Sequence, residues 1–173
     1  FIRSLSAIGL LISFYLVDHL FQVKFHRRHY LFIIFMALAG FILSPLYFIY
    51  PNYDKILHLV MPAMFGSIVF YMASKLKLEL KWKVFFTFFV ILGVTGLFEL
   101  GEYYLDVLFD LKLQGVYIRD ISGIERLNIL QDRIDDTMID MALGLLAAAV
   151  YVWSVYFIKK KKMKIERKNN FKK

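Results

Sequence analysis

IYPNYDKILHLVMPAMFG, residues 49–66, is a short turn that runs straight into an apolar helix. Asp54 and Lys55 stand at its mouth, His58 lies one turn further in, and the apolar run continues to about residue 74. A loop carries charge freely, but a histidine heading into an apolar helix needs a partner. The length of the run decides the fold class. It approaches the roughly 20 residues of a bilayer crossing, and it is not alone. Similar windows lie near 4–23, 30–50, 83–106 and 137–158. Asp18 and His19 interrupt the far end of the first.

The chain is therefore expected to be all-α, a polytopic membrane helix bundle with about five transmembrane helices. Composition agrees. The 173 residues are 60% hydrophobic with mean hydropathy +0.58, against about 45–50% apolar in soluble domains. Residues 1–158 form one transmembrane bundle and residues 159–173 a basic cytoplasmic tail. There are no internal repeats, and only the Lys-rich tail is low in complexity. The start at Phe1 leaves room for further residues, or a helix, ahead of it; no signal peptide with a cleavage site is evident.

The net charge of +8 does not point to nucleic acid, because 9 of the 22 Lys and Arg lie after residue 158. A basic tail directly after an apolar helix is a cytoplasmic stop signal or a contact with anionic lipid. Without Cys, disulfides, thiolate catalysis and Cys-ligated metals are excluded. The 24–29 loop, the 75–83 loop and the tail together hold 16 of the 22 basic residues. The positive-inside rule puts that side in the cytoplasm of a cell membrane. The C-terminus is then inside, and Tyr151, Trp153 and Tyr156 fit an inner aromatic belt.

The long 107–136 segment becomes extracytoplasmic. Ser122, with Glu125 three residues later, reads as a capping box. Ile124, Leu127, Leu130 and Ile134 follow at near-helical spacing. These features predict one short extracytoplasmic interfacial helix, serving as a gate or simply as a lid packed on the bundle.

Eleven of the 14 acids fall toward the outer side. Glu99, Glu102 and Asp106 stand at i, i+3 and i+7 on the fourth span. Asp132, Asp136 and Asp140 stand at i, i+4 and i+8 on the fifth, and Asp54 and His58 at i and i+4 on the third. Each set shares one helix face. Asp54, Asp106, Asp132 and Asp135 read best as a solvated rim. The deeper His58, Glu99, Glu102, Asp136 and Asp140 read as a functional cluster, with His58 facing the carboxylates of the other two spans. An acid in a span costs on the order of 2.5–3.5 kcal/mol and normally faces the bundle interior or a wet cavity.

So many carboxylates cannot all ionise in a low-dielectric pocket without metal ions, basic partners or shared protons. Lys55, Arg119, Arg126 and Arg133 lie on the correct side to serve. The other solution is a divalent metal ion held by His58, Glu99, Glu102, Asp136 and Asp140, with Asp54, Lys55 and Arg133 in support. Oxygen donors suit Mg, Mn or Ca, and an imidazole admits Zn or Fe. A carboxylate-bridged di-iron site is disfavoured, because its usual pair of His ligands is missing. Asp18, His19, His26 and His29 read as interfacial solvation. Gly93, Gly96, Gly101 and Gly144 with Ala148 read as helix-packing positions, and Met61, Met64, Met138 and Met141 as apolar filling.

Three motifs carry a resemblance. Asp54-Lys55-Ile56-Leu57-His58, Glu99-Leu100-Gly101-Glu102 and Asp136-Thr137-Met138-Ile139-Asp140, followed by Gly144, recur in order over roughly residues 50–150. The set resembles VanZ-like membrane proteins, with Glu102 in place of their Gln and Asp140 in place of their Asn. In this more acidic form it is similar to YjdF-like inner-membrane proteins. The resemblance implies a multi-pass membrane protein of that kind and supplies neither a reaction nor a metal.

Three functional readings follow. The cluster binds or moves an ion, a proton or a lipid-like ligand. Alternatively, a metal-dependent hydrolase or transferase acts on a lipid or lipid-linked substrate, with Glu99 or Glu102 as general base. In the third, the cluster only ties helices together, a costly use of five ionisable groups when interhelical hydrogen bonds average roughly 0.6 kcal/mol. The expected partners are membrane lipids; whether the protein is an enzyme, and its oligomeric state, stay open.

Overall fold

Four of the five apolar stretches form single long helices in a computed structural model of the chain, which describes residues 2–109, 111–119 and 127–170. They are α1 (Ile2–Phe21), α3 (Tyr53–Ser74), α4 (Leu80–Phe109) and α5 (Arg133–Asn170). At 1.5 Å per residue, the 22 residues of α3 reach about 33 Å, enough for a hydrocarbon core of about 30 Å. The helix α5 carries the basic tail onward as a continuous helix to Asn170.

The 30–50 stretch is the exception to the expected five. It begins as α2 (Arg27–Ala37), widens into a π-helical turn at Leu38–Ile42 and tightens into a 3-10 turn at Ser44–Phe48. Pro45, near the start of the last turn, has no N–H and cannot continue a regular ladder. Carbonyls in the irregular region find side-chain donors. The Tyr53 hydroxyl donates to Ala39 O at 2.9 Å, and the Ser44 hydroxyl to Phe41 O at 2.9 Å.

The helices α3, α4 and α5 pack on one another as the central bundle. Lys55 meets Asp140 at the start of both α3 and α5, so these two run parallel with α4 antiparallel between their ends. The packed face of α4 carries Thr87, Ile91, Thr95 and Glu99, each four residues apart. A Cβ on Gly144 would come within 2.6 Å of Thr95 Cγ2, so α5 approaches α4 closely there, and Ala148 one turn on is fully buried. The packing expectation fails for Gly93, Gly96 and Gly101, where a Cβ would meet nothing within 4 Å. They lie off the packed stripe. Likewise Met138 and Met141 are exposed rather than filling the interior. At the opposite end from Lys55, α1 and α2 close on α3 through Phe14, Val23, Phe25, Ile33 and Ile68.

Between α4 and α5 the predicted interfacial helix is replaced, where described, by strands. β1 (Val116–Arg119) pairs antiparallel with β2 (Leu127–Gln131), in the register Tyr117↔Ile129, Ile118↔Asn128 and Arg119↔Leu127. The spacing of Leu127 and Leu130 suits a helix. Yet Val116, Tyr117 and Ile118 form a β-branched and aromatic run that needs a partner strand, and pairing overrides local periodicity. The capping box Ser122–Glu125 lies outside the described residues. Gly115, at φ +92°, turns the chain into β1 in a region only glycine enters without strain. β1 then packs on the Ser44–Phe48 turn, with Val116 and Tyr117 buried. The hairpin and the segmented stretch thus meet at the acid-rich end of the bundle.

Candidate metal centre at the acidic end of the bundle

The first turn of α3 carries Asp54, Lys55 and His58 into the interface with α4 and α5. Pro62 sits four residues after His58. Having no N–H, it leaves the His58 carbonyl without its usual helical donor. From α4 come Glu99 and Glu102, and from α5 come Asp136 and Asp140. His58, Glu99, Asp136 and Asp140 are buried, Asp140 at 1% exposure, while Asp54 and Glu102 are half-buried.

Lys55 is the hub. Its Nζ bonds to Asp136 Oδ1, donates to Asp140 Oδ1 and Oδ2 at 2.9 and 2.8 Å, and reaches Asp54 Oδ2 at 3.5 Å. Basic partners, one of the three ways to balance the acids, thus account for part of the cluster. Lys55 is more central than its supporting place in the sequence reading. Arg133 stands on the exposed side at the first residue of α5. The Arg119 side chain and Arg126 lie outside what the structure describes.

His58 lies between two acids. Its Nε2 is 3.5 Å from Asp54 Oδ1, and its Nδ1 is 3.4 Å from Glu99 Oε1. That Glu99 oxygen is buried and has no hydrogen-bond partner among the described residues. His58 is expected from the sequence to face the carboxylates of the fourth and fifth spans; Glu99 of the fourth stands beside it, and Asp140 of the fifth lies within reach of it. Donor atoms of Asp54, His58 and Asp140 lie within 4.8 Å of one another. Asp54, read from sequence as rim, therefore joins the converging set. Asp136, read as a ligand, has its oxygens engaged by Lys55 and by the Gly115 N–H at 2.7 Å. Glu102 is near enough to Asp54, Glu99, Asp136 and Asp140 to feel their charge.

Five carboxylates thus surround one ammonium and one imidazole. Even with both bases positive, the charges do not balance, and burial makes that imbalance expensive. A small cation or shared protons would restore it.

Other polar residues close the site from above. Asp106, also read as rim, is 3% exposed and accepts the N–H groups of Leu113 and Gln114 at 2.7 and 2.9 Å. It is the anchor of the turn leaving α4. The Gln114 side chain donates to Thr137 Oγ1 at 2.8 Å. Gln114, Gly115 and Thr137 carry no periodic or motif signal of their own; only their hydrogen bonds in the fold reveal them. Asp132 behaves as a helix cap, accepting the N–H groups of Ile134 and Asp135 at 2.9 Å each. Asp132 and Asp135 are exposed, which fits the rim reading.

One protein-family model, described as Predicted membrane protein (DUF2238), matches residues 2–161. No curated protein and no solved structure matches the chain.

Proposed function

We propose that this chain, which belongs to the DUF2238 family of predicted membrane proteins, binds a divalent cation between Asp54, His58 and Asp140. The observation that carries the reading is the donor set itself: two carboxylates and an imidazole from two helices, within 4.8 Å of one another. Glu99 supports it. A metal-bound histidine characteristically hands its other ring N–H to a carboxylate, and here Nε2 faces Asp54 while Nδ1 faces Glu99. One imidazole among oxygens favours Mn, Fe or Zn over Ca. Lys55 acts as a tethered counter-ion that keeps Asp136 and releases Asp140 when the ion enters. The positive-inside pattern opens the site to the extracytoplasmic face. On this reading the Asp-Lys-x-x-His, Glu-x-x-Glu and Asp-x-x-x-Asp elements of the YjdF-like resemblance are one binding motif.

A second reading is metal-dependent hydrolysis or transfer on a lipid-linked substrate. It is favoured by the number of protein donors, since three leave positions for water or substrate. Glu102, half-buried beside the cluster, would then be the general base.

The test is metal content and affinity of the purified full chain, stripped with chelator and reloaded with Mn, Zn or Mg. About one ion per chain, lost in both His58→Ala and Asp140→Asn while the proteins still fold, is the expected result. Equal uptake by wild type and both variants, or none at all, overturns it. Metal-stimulated release of phosphate or acyl groups from lipid substrates would move the conclusion to the second reading.

A further inference from the structure

Along the parallel seam of α3 and α5, on the side of the bundle toward its basic end, lie two cavities that share one wall residue. The first, about 520 Å³, is apolar and lies between Leu59 and Ala63 on α3 and Leu146, Ala147 and Val150 on α5. The second, about 240 Å³, lies nearer the basic end and is lined by Ser67, Ser74, Arg28 and Lys159 among others. Tyr151 forms part of the wall of both. From Leu59 to Ser74 the path is about 22 Å at 1.5 Å per residue, longer than half of a hydrocarbon core of about 30 Å.

We propose that this seam is a binding site for one anionic phospholipid, its phosphate between Arg28 and Lys159 and an acyl chain along the α3–α5 groove. Charge and shape choose the occupant together. Arg28 and Lys159 contribute two positive charges, and among the described residues neither has a carboxylate within ion-pair distance. The Arg28 guanidinium commits Nε to His29 Nε2 at 3.3 Å and keeps its remaining donors for an anion. The Ser74 and Tyr71 hydroxyls already donate to backbone carbonyls, so the two cations carry the recognition. A free phosphate would use only the polar cavity and leave the apolar one beside it unexplained. The small side chains of Ala63 and Ala147 are what open the groove.

The experiment is native mass spectrometry of the full chain in mild detergent, followed by reloading of delipidated protein with phosphatidylglycerol, phosphatidylcholine or inorganic phosphate. One retained anionic lipid per chain is expected. The pair Arg28→Gln/Lys159→Gln should weaken phosphatidylglycerol binding roughly thirtyfold, the effect of two juxtamembrane cations. Ala63→Leu should displace the lipid with both cations intact. The pair Lys160→Gln/Lys161→Gln, outside the pocket, removes the same charge and should leave binding unchanged. Equal binding of phosphatidylcholine, an equal loss in the Lys160/Lys161 pair, or phosphatidylglycerol binding indifferent to Ala63→Leu and matched by inorganic phosphate would each overturn the proposal.

Discussion

Lys55→Met isolates the role of the hub. Met keeps most of the length and the apolar stem but removes the ammonium. Lys55 has a side chain 17% exposed, while Asp136 and Asp140 are 3% and 1% exposed. The substitution therefore strands two buried acids. If only hydrogen bonds mattered, three at the membrane average of roughly 0.6 kcal/mol would cost about 2 kcal/mol. If the pair behaved as a solvated surface bridge, the loss would stay under about 1 kcal/mol. Breaking a buried pair costs about 3–5 kcal/mol because the partner charge is left uncompensated. The burial of both acids places the expected loss near 3 kcal/mol, or about 6–12 °C in Tm for a chain of this size. The assay is thermal melting in detergent with excess chelator, repeated with saturating Mn or Zn. Metal should restore much of the loss, since an ion at 100 times its Kd contributes about 2.7 kcal/mol. It should also bind the variant more tightly than wild type, because no ammonium competes at Asp140. A variant that melts within about 0.5 kcal/mol of wild type in chelator, with no gain from metal, would refute both the buried-pair argument and the cation site.

Glu99→Gln keeps an acceptor for the His58 N–H but removes its charge; metal affinity should fall about 10–100-fold with little change in melting of the metal-free protein, as read by calorimetric titration. Gly144→Ala should destabilise by about 1–3 kcal/mol, because its Cβ would press on Thr95 at 2.6 Å, whereas Gly93→Ala, with open space around it, should be neutral or slightly stabilising in the same melt. His29 lies in the loop-side turn of α2, just ahead of the 30–50 stretch, where burial first, then the charges of Arg28 and His26, push its pKa down to about 4. The unfolded chain binds that proton near pH 6.5, so stability around His29 is full above that value and declines as pH falls toward about 4. Hydrogen exchange across residues 25–30 should accelerate over that window in wild type and not in His29→Phe; an identical acid response in both would remove His29 as the cause.

The bundle was legible because its signal is thermodynamic and repeated: each long apolar run has one stable environment, and the same length recurs along the chain. The converging faces were legible for a related reason. Residues at i, i+4 and i+8 share a face whatever else happens, so Asp136 with Asp140, and Asp54 with His58, had to emerge together. Depth and partner choice were not legible. Asp106 and Asp136 look alike in sequence, each at helical spacing from deeper acids. One bonds the N–H groups of Leu113 and Gln114 in the following turn; the other takes the Gly115 N–H and, in addition, a lysine 81 residues away. What separates them is the path of residues 111–119, and no helical period encodes that path. The strand at 127–131 failed for the same reason, since its periodicity admits a helix and only Val116–Arg119, across the hairpin, decides against it. Lys55 shows the consequence for function. A lysine at a helix mouth reads as loop charge until three acids from two helices are found on its ammonium. The cluster is then a balance between an internal cation and an external one, and the free energy that binds the second is set by how firmly the first is held.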